Sequence, residues 1–444
     1  AEYLESRFGP AARVLSALIQ IQYRSSMLGL MIWSLYLLLT GLLGLQSNAA
    51  WTLIVAIVAF VAAYTSLGGL KSVVMTDAFQ GVIMFVAMAV IFAAVWNAAG
   101  GWSQMKQTLE GIQIHSNQPA SDLLRMGRYR GDDGDTSPIV VALGWLIIGF
   151  GYWSVNHSQT MRLGGAKSLW DMKMAALFGA TISMPIMVGC ASIGLFGRAL
   201  FPDFESPDRL YPHLADLYLG VGLKGVVVAG IVAAAISTFD SMGSSLSALF
   251  TRDIYARLFV RDRDDTHYVH VSRWATVGIL AIGFAYLPFI GSKETMLQAF
   301  LTLIPVFVTP LFTIYLIGIF TRAHRKAGIV AILVGACYGV IALVDREIVD
   351  IPWLAAWFTG RWPALLWAIA ITTLGATLAT LVYGRYTPQS NPQQPTGWLQ
   401  TSSRTLATLP ESPFPNQPPQ WLRPEVLAVI LITFTALILF TFFW

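Results

Sequence analysis

The chain has 444 residues, of which 55% are hydrophobic and only 12% charged. Soluble domains carry about 25% charged residues, so this composition cannot coat a water-facing body and marks an integral membrane protein. The formal charge of +4 is too small over this length to argue for nucleic-acid binding.

A run of roughly 20 apolar residues crosses the hydrocarbon core as a helix, and such runs recur along the whole sequence. The chain opens Ala1-Glu2-Tyr3-Leu4, with no initiator methionine and no visible signal peptide, which suggests a missing N-terminal segment. About eleven spans are expected, near 14–46, 50–66, 72–98, 138–161, 172–197, 221–250, 271–290, 296–320, 327–344, 362–384 and 424–444. Two connections are long. The first, 99–137, is rich in glycine and acids (Gly131-Asp132-Asp133-Gly134-Asp135), and the second, 385–423, is a Pro/Gln/Ser-rich linker. The expected organisation is thus a transmembrane core over 1–384, a polar linker over 385–423 and a final span over 424–444. Cys190 and Cys337 lie inside apolar runs and read as small core residues. Of the six histidines most fall in loops, and the ligand-like spacing of His267 and His270 lies in a solvated loop, so no enzyme centre is expected.

Charge placement tests the segmentation. With alternate loops assigned to two sides, the side holding residues 1–13 carries 17 Lys/Arg and the other 10, with Arg24 inside a helix. The positive-inside rule makes the first side cytoplasmic, through Arg162/Lys167/Lys173, Arg252/Arg257/Arg261/Arg263/Arg273 and Arg322/Arg325/Lys326. The chain start is therefore expected inside and the C-terminal tail outside, in a plasma (inner) membrane.

Two acids fall within spans, Asp77 and Asp240. A carboxylate deep in a membrane costs roughly 2.5–3.5 kcal/mol on insertion scales, so it usually faces a polar interior. Asp77 also suits a helix start, where an acid is favoured by the backbone dipoles. Asp240 sits in the stretch Ala233 to Ser245, which is small and hydroxyl-rich. Such composition marks tight helix packing in lipid as readily as an ion site. One arrangement is sharper: the Ala234 carbonyl lies one turn before Ser237 and Thr238, so three oxygens share a face. A hard cation such as sodium favours a set of this kind, completed by the unwound carbonyls of a second, broken helix.

The run Ala234 to Tyr255, ending Ser247-Ala248-Leu249-Phe250-Thr251-Arg252-Asp253-Ile254-Tyr255, resembles the eighth core helix of the sodium/solute symporter family. Tyr64-Thr65-Ser66-Leu67-Gly68-Gly69-Leu70-Lys71 through Thr76-Asp77-Ala78-Phe79-Gln80 resembles that family's "GGL…TD..Q" signature. Tyr152-Trp153-Ser154-Val155-Asn156 through Arg162 resembles its "YW..NQ" helix. Leu297-Gln298 through Pro305, with Pro310 to Phe320, resembles its tenth core helix, and Glu2 to Gly9 the loop before its third. The motifs come in the family's order and span nearly the whole chain.

The resemblance implies an all-α polytopic fold of the LeuT type, two inverted five-helix repeats with the first core helices absent from this sequence. It implies a sodium site at Ala234 (carbonyl), Ser237 and Thr238, with Asp77 on the sodium pathway and Asp240 and Ser241 at positions some members use for a second sodium. Substrate contacts fall on Asn156 and Gln298, with Trp153 and Tyr152 nearby. The implied function is sodium-coupled symport of a small organic solute by alternating access, leaning to sugars or polyols through the "SALFTRDIY" stretch and Gln298. The implied partners are sodium as coupling ion, that solute and the lipid bilayer, with no nucleic acid and no other cofactor. The sequence departs from the family at Asn156-His157 and Met161-Arg162, where Asn-Gln and Gln-Arg are usual. The rival readings are a symporter-like sensor or structural protein without transport, and a channel, for which no filter segment is visible.

Overall fold

The computed structural model describes residues 2–114, 118–125, 127–128, 136–349, 351, 354, 356–385, 410 and 419–443. The acidic stretch 131–135 and most of the linker expected at 385–423 lie outside the described residues, as do the side chains of 69–72 and 304–306.

The chain is helical almost throughout. It runs α1 (Glu2–Phe8), α2 (Pro10–Gly41), α3 (Ser47–Ala98), α4 (Gly101–Glu110), α5 (Pro138–Val155), α6 (His157–Leu163), α7 (Leu169–Leu200) and α8 (Pro207–Tyr218). There follow α9 (Val221–Leu249), continued by a π-helical stretch Phe250–Phe259, then α10 (Asp265–Ile282), α11 (Leu287–Gly291), α12 (Met296–Phe320), α13 (Ala327–Glu347), α14 (Ala356–Thr359), α15 (Pro363–Tyr383) and α16 (Pro424–Phe443). A two-residue antiparallel ladder, Gln113–Ile114 against Gln118–Pro119, closes a loop after α4. Prolines start α2, α5, α8 and α15, where the fixed φ suits the first turn and the missing N–H is not needed. Ser168 and Thr295 cap α7 and α12 by accepting the N–H groups of Asp171 and Gln298.

Among the described residues, eight helical segments are long and apolar enough to cross a bilayer, or nine if the bent pair Met296–Leu303 and Phe307–Phe320 is one span. The two remaining expected spans are also present as helices, α2 and α16. The longest apolar stretch in α16 is Pro424–Leu439, and α2 buries a polar row. The loop expected between 66 and 72 is instead helical, so the spans Ser47–Gly68 and Val73–Ala98 join within α3.

Two apolar cores meet at α2. One gathers α3, α4, α7, α8, α9 and α10 around residues such as Leu28, Ile54, Ile91, Phe196 and Phe239. The other joins α1, α5, α12, α13 and α15 through Leu4, Phe8, Ile148, Leu311 and Trp362. Between these cores α2 turns a buried row of Arg13, Ser16, Gln20 and Arg24, spaced three and four residues apart on one helix face. The Arg13 guanidinium is paired with the Asp253 and Glu5 carboxylates, and Arg7 donates to the carbonyls of Gly318, Thr321 and Ala323.

Helices α3 and α9 approach closely at Gly230. A Cβ on Gly230 would lie 2.2 Å from the Ala87 Cβ, which has no flexible end to move. Gly230→Ala is therefore expected to push the two helices apart and cost about 1–3 kcal/mol, read as a lowered unfolding midpoint in detergent.

Candidate functional site

Where α3 crosses α9, their polar residues collect. The Asp77 carboxylate of α3 accepts from the Ser237 hydroxyl on one oxygen and from the Arg162 guanidinium on the other. Ser241, one turn beyond Ser237, donates to the same Asp77 oxygen as Arg162 at 3.3 Å, and its own oxygen also accepts from Arg162. The neighbouring Asp240 is fully buried and accepts from the Tyr64 hydroxyl at 2.6 Å and from Ser241 at 3.2 Å. The Thr238 hydroxyl donates to the Ala234 carbonyl at 2.8 Å.

The local sequence explains the convergence. Ser237, Asp240 and Ser241 lie three and four residues apart, on the α9 face turned to α3. Tyr64 and Asp77 belong to the two apolar segments of α3, and both reach that face. Arg162 comes from α6, a short helix after a break in the chain at Asn156. The cluster thus holds two carboxylates, several hydroxyls, one carbonyl and one guanidinium. Sodium favours such hard oxygens, and here the cation paired with the Asp77 carboxylate is Arg162.

Of the six residues read from the sequence as ion-handling, Asp77, Ser237, Asp240 and Ser241 are joined by side-chain hydrogen bonds. Ala234 and Thr238 sit as expected one turn apart, satisfying each other, whereas Ser237 turns to Asp77. Arg162 and Tyr64 belong to the same constellation without having been singled out. Arg162 had counted as a loop cation, yet its side chain is only 27% exposed. The signal available for it was its short distance from the polar Asn156, which ends the apolar run of α5.

The substrate candidates separate. Asn156 is buried at the α5–α6 break, where its side chain caps α6 by accepting the Ser158 N–H at 3.2 Å. Tyr152 and Trp153 stand edge to face on the last turn of α5, ring centroids 5.7 Å apart, with Trp153 half exposed. Asn156 and Tyr152 line a small cavity with Gln20, Tyr23 and Arg24 of α2 and Phe307 and Leu311 of α12. Gln298 is elsewhere. It lies about two and a half turns before Phe307, and donates to Glu294 at 2.8 Å in the first turn of α12. A much larger cleft, of about 1590 Å³, opens between α1, α2 and the π-helical stretch among charges of both signs such as Glu2, Arg257 and Asp262. It touches none of the ion or substrate candidates.

Comparison with known proteins adds an independent line. The model of the sodium:solute symporter family matches residues 1–335. Sodium/glucose cotransporter 4 of Danio rerio is 26% identical over 385 residues, covering 79% of this chain and 57% of that protein. Sodium/myo-inositol cotransporter 2 of Rattus norvegicus is 26% identical over 77% of this chain and 54% of its own length. The sodium/pantothenate symporter of Escherichia coli (strain K12) is 29% identical over 65% of this chain and 57% of its own. The chain spans about half the length of the curated relatives it matches. Among solved structures, a Na+-coupled sialic acid symporter in a substrate-bound outward-open state superposes with a TM-score of 0.70. It is 19% identical, and the match covers 87% of this chain and 78% of that one, which establishes a shared LeuT-type fold.

Proposed function

This chain belongs to the sodium:solute symporter family, and on that premise we propose that it works as a sodium-coupled symporter of a small organic solute by alternating access. The observation that carries the reading is the network of Asp77, Ser237, Asp240 and Ser241 between α3 and α9, with Thr238 and the Ala234 carbonyl bonded to each other on the same helix, in apolar helices long enough to cross the membrane. Intramembrane carboxylates are costly and mark ion pathways. In this proposal sodium enters at Ala234, Ser237 and Thr238, with Asp77 on its path and Asp240 and Ser241 as a second position. Asp77 is neutralised by Arg162 in the state described, so an arriving sodium ion competes with a guanidinium for the same carboxylate.

The driving force suffices for concentration. One sodium ion falling through about 100 mV gives about 2.3 kcal/mol, and a tenfold sodium gradient adds about 1.4 kcal/mol. Together they sustain a solute gradient on the order of 500-fold. Named relatives handle glucose, myo-inositol and pantothenate, which supports a polar organic solute, with the sugar or polyol lean taken from the Ser247–Tyr255 stretch. In the same proposal the protein lies in the plasma (inner) membrane with the chain start on the cytoplasmic side, which the Lys/Arg bias between alternate loops supports.

Ser237→Ala and Thr238→Ala in the full-length protein are each expected to raise the sodium concentration for half-maximal uptake by about tenfold, the scale of one lost oxygen ligand. Solute flux into proteoliposomes against external sodium measures it. An unchanged sodium dependence in both variants removes the site assignment, and solute binding without flux would turn the reading towards a sensor.

A further inference from the structure

Arg24 lies near the middle of α2, roughly 20 Å along the helix from Pro10 at 1.5 Å per residue, and is only 8% exposed. The other two buried arginines among the described residues have oxygen acceptors, two carboxylates for Arg13 and three carbonyls for Arg7, and the half-buried Arg346 has two carbonyls. Arg24 differs. Among the described residues no carboxylate is ion-paired with it. Its polar neighbours are the Tyr23 hydroxyl and the face of the Tyr152 ring, 5.6 Å from the guanidinium carbon to the centroid. A cation held inside a membrane protein without a counter-charge is a functional position by default.

The surroundings are built for a ligand rather than for packing alone. Arg24 lines a cavity of about 10 Å³ with Gln20, Tyr152, Asn156 and Phe307. The Asn156 amide nitrogen is buried there without a hydrogen-bond acceptor. Two interrupted helices border the cavity: the α5–α6 break at Asn156, and α12, whose halves Met296–Leu303 and Phe307–Phe320 meet at 43°. Interrupted spans are where membrane transporters place their solute sites. A cavity of 10 Å³ holds one water at most, so a solute enters when these elements part, as alternating access requires.

We infer that the solute carries a carboxylate, received by the Arg24 guanidinium, with Asn156 and Gln20 left to bond its hydroxyl or amide groups. The guanidinium fork matches a carboxylate in two parallel hydrogen bonds, and the unpaired Asn156 amide gains an acceptor. Such a solute brings its own negative charge to a site that otherwise holds an unmatched positive one, so a neutral polyol fits it worse. This rests on the symport reading and narrows its solute from sugars or polyols to their acids or to other hydroxylated carboxylates.

The test uses pairs that differ only at the carboxylate: gluconate with glucitol, glucuronate with glucose, pantothenate with pantothenol. Thermal unfolding of the full-length protein in detergent is followed against each compound, at constant ionic strength and with or without sodium. The expected result is that at least one acid stabilises the protein at a half-saturating concentration about tenfold or more below that of its neutral partner. Arg24→Gln is expected to abolish that preference, and Arg24→Lys to keep part of it, since charge survives while the fork is lost. A sodium-dependent shift retained in Arg24→Gln shows that this variant is folded, and the wild-type pairs decide the question even if it is not. Equal or better binding of the neutral members, no shift with any acid, or an acid preference that survives Arg24→Gln overturns the inference. Sodium-coupled uptake of a neutral solute untouched by Arg24→Gln overturns it while symport stands. An Arg24-dependent acid preference with no effect of sodium on binding or uptake does the reverse.

Discussion

Asp77→Ala is expected to abolish sodium-driven uptake and to lower unfolding stability by about 3–5 kcal/mol, the cost of leaving one member of a buried ion pair alone. The side chains of Asp77 and Arg162 are 13% and 27% exposed, so water screens little of their interaction. Without the carboxylate, the guanidinium loses its ion-pair partner and keeps its hydrogen bond to Ser241, and Ser237 loses its acceptor. Removing both charges should hurt the fold less than removing one: Asp77→Asn with Arg162→Gln is expected to recover most of the lost stability without recovering uptake. Denaturant unfolding in detergent together with counterflow in liposomes measures both quantities. Equal instability in the single and double variants would mean that the pair does not hold α3, α6 and α9 together.

Arg13→Ala carries the second large effect, again about 3–5 kcal/mol. Here the guanidinium and the Asp253 carboxylate are each only 6% exposed, and Glu5 shares the same cation. Loss of Arg13 leaves the buried Asp253 carboxylate without its cation where α1, α2 and the π-helical stretch after α9 meet, while Glu5 keeps Arg257 at 3.0 Å. The predicted signature is early release of that end of the molecule, seen as faster proteolysis near 250–260, with the sodium concentration for half-maximal uptake unchanged in whatever protein remains folded. Arg13→Lys should retain the charge but lose the multidentate geometry, and so recover only part of the stability. If Arg13→Ala shifted the sodium dependence while leaving proteolysis untouched, this pair would belong to the ion pathway instead.

Apolar run length and charge placement alone determined the membrane class, the helical fold and most span positions. These quantities are local, and lipid admits few ways to satisfy a backbone without water. The polar cluster was legible for the same reason: Asp77 and Asp240 are costly within apolar runs, and the Ala234–Ser241 spacing puts oxygens on one face of one helix. What the sequence did not hold was which partner reaches across from another helix. Arg162 reads as a loop cation until α6 folds it against Asp77, Gln298 reads as a solute contact until α12 sets it beside Glu294, and the stretch between 66 and 72 reads as a loop although the helix runs through it. Arg24 was visible as a cation deep inside a span, but only the meeting of α2 with two interrupted helices turned it into part of a site. Spacing along one helix is fixed by 3.6 residues per turn, whereas pairing between helices depends on packing across hundreds of residues, which only the tertiary structure decided.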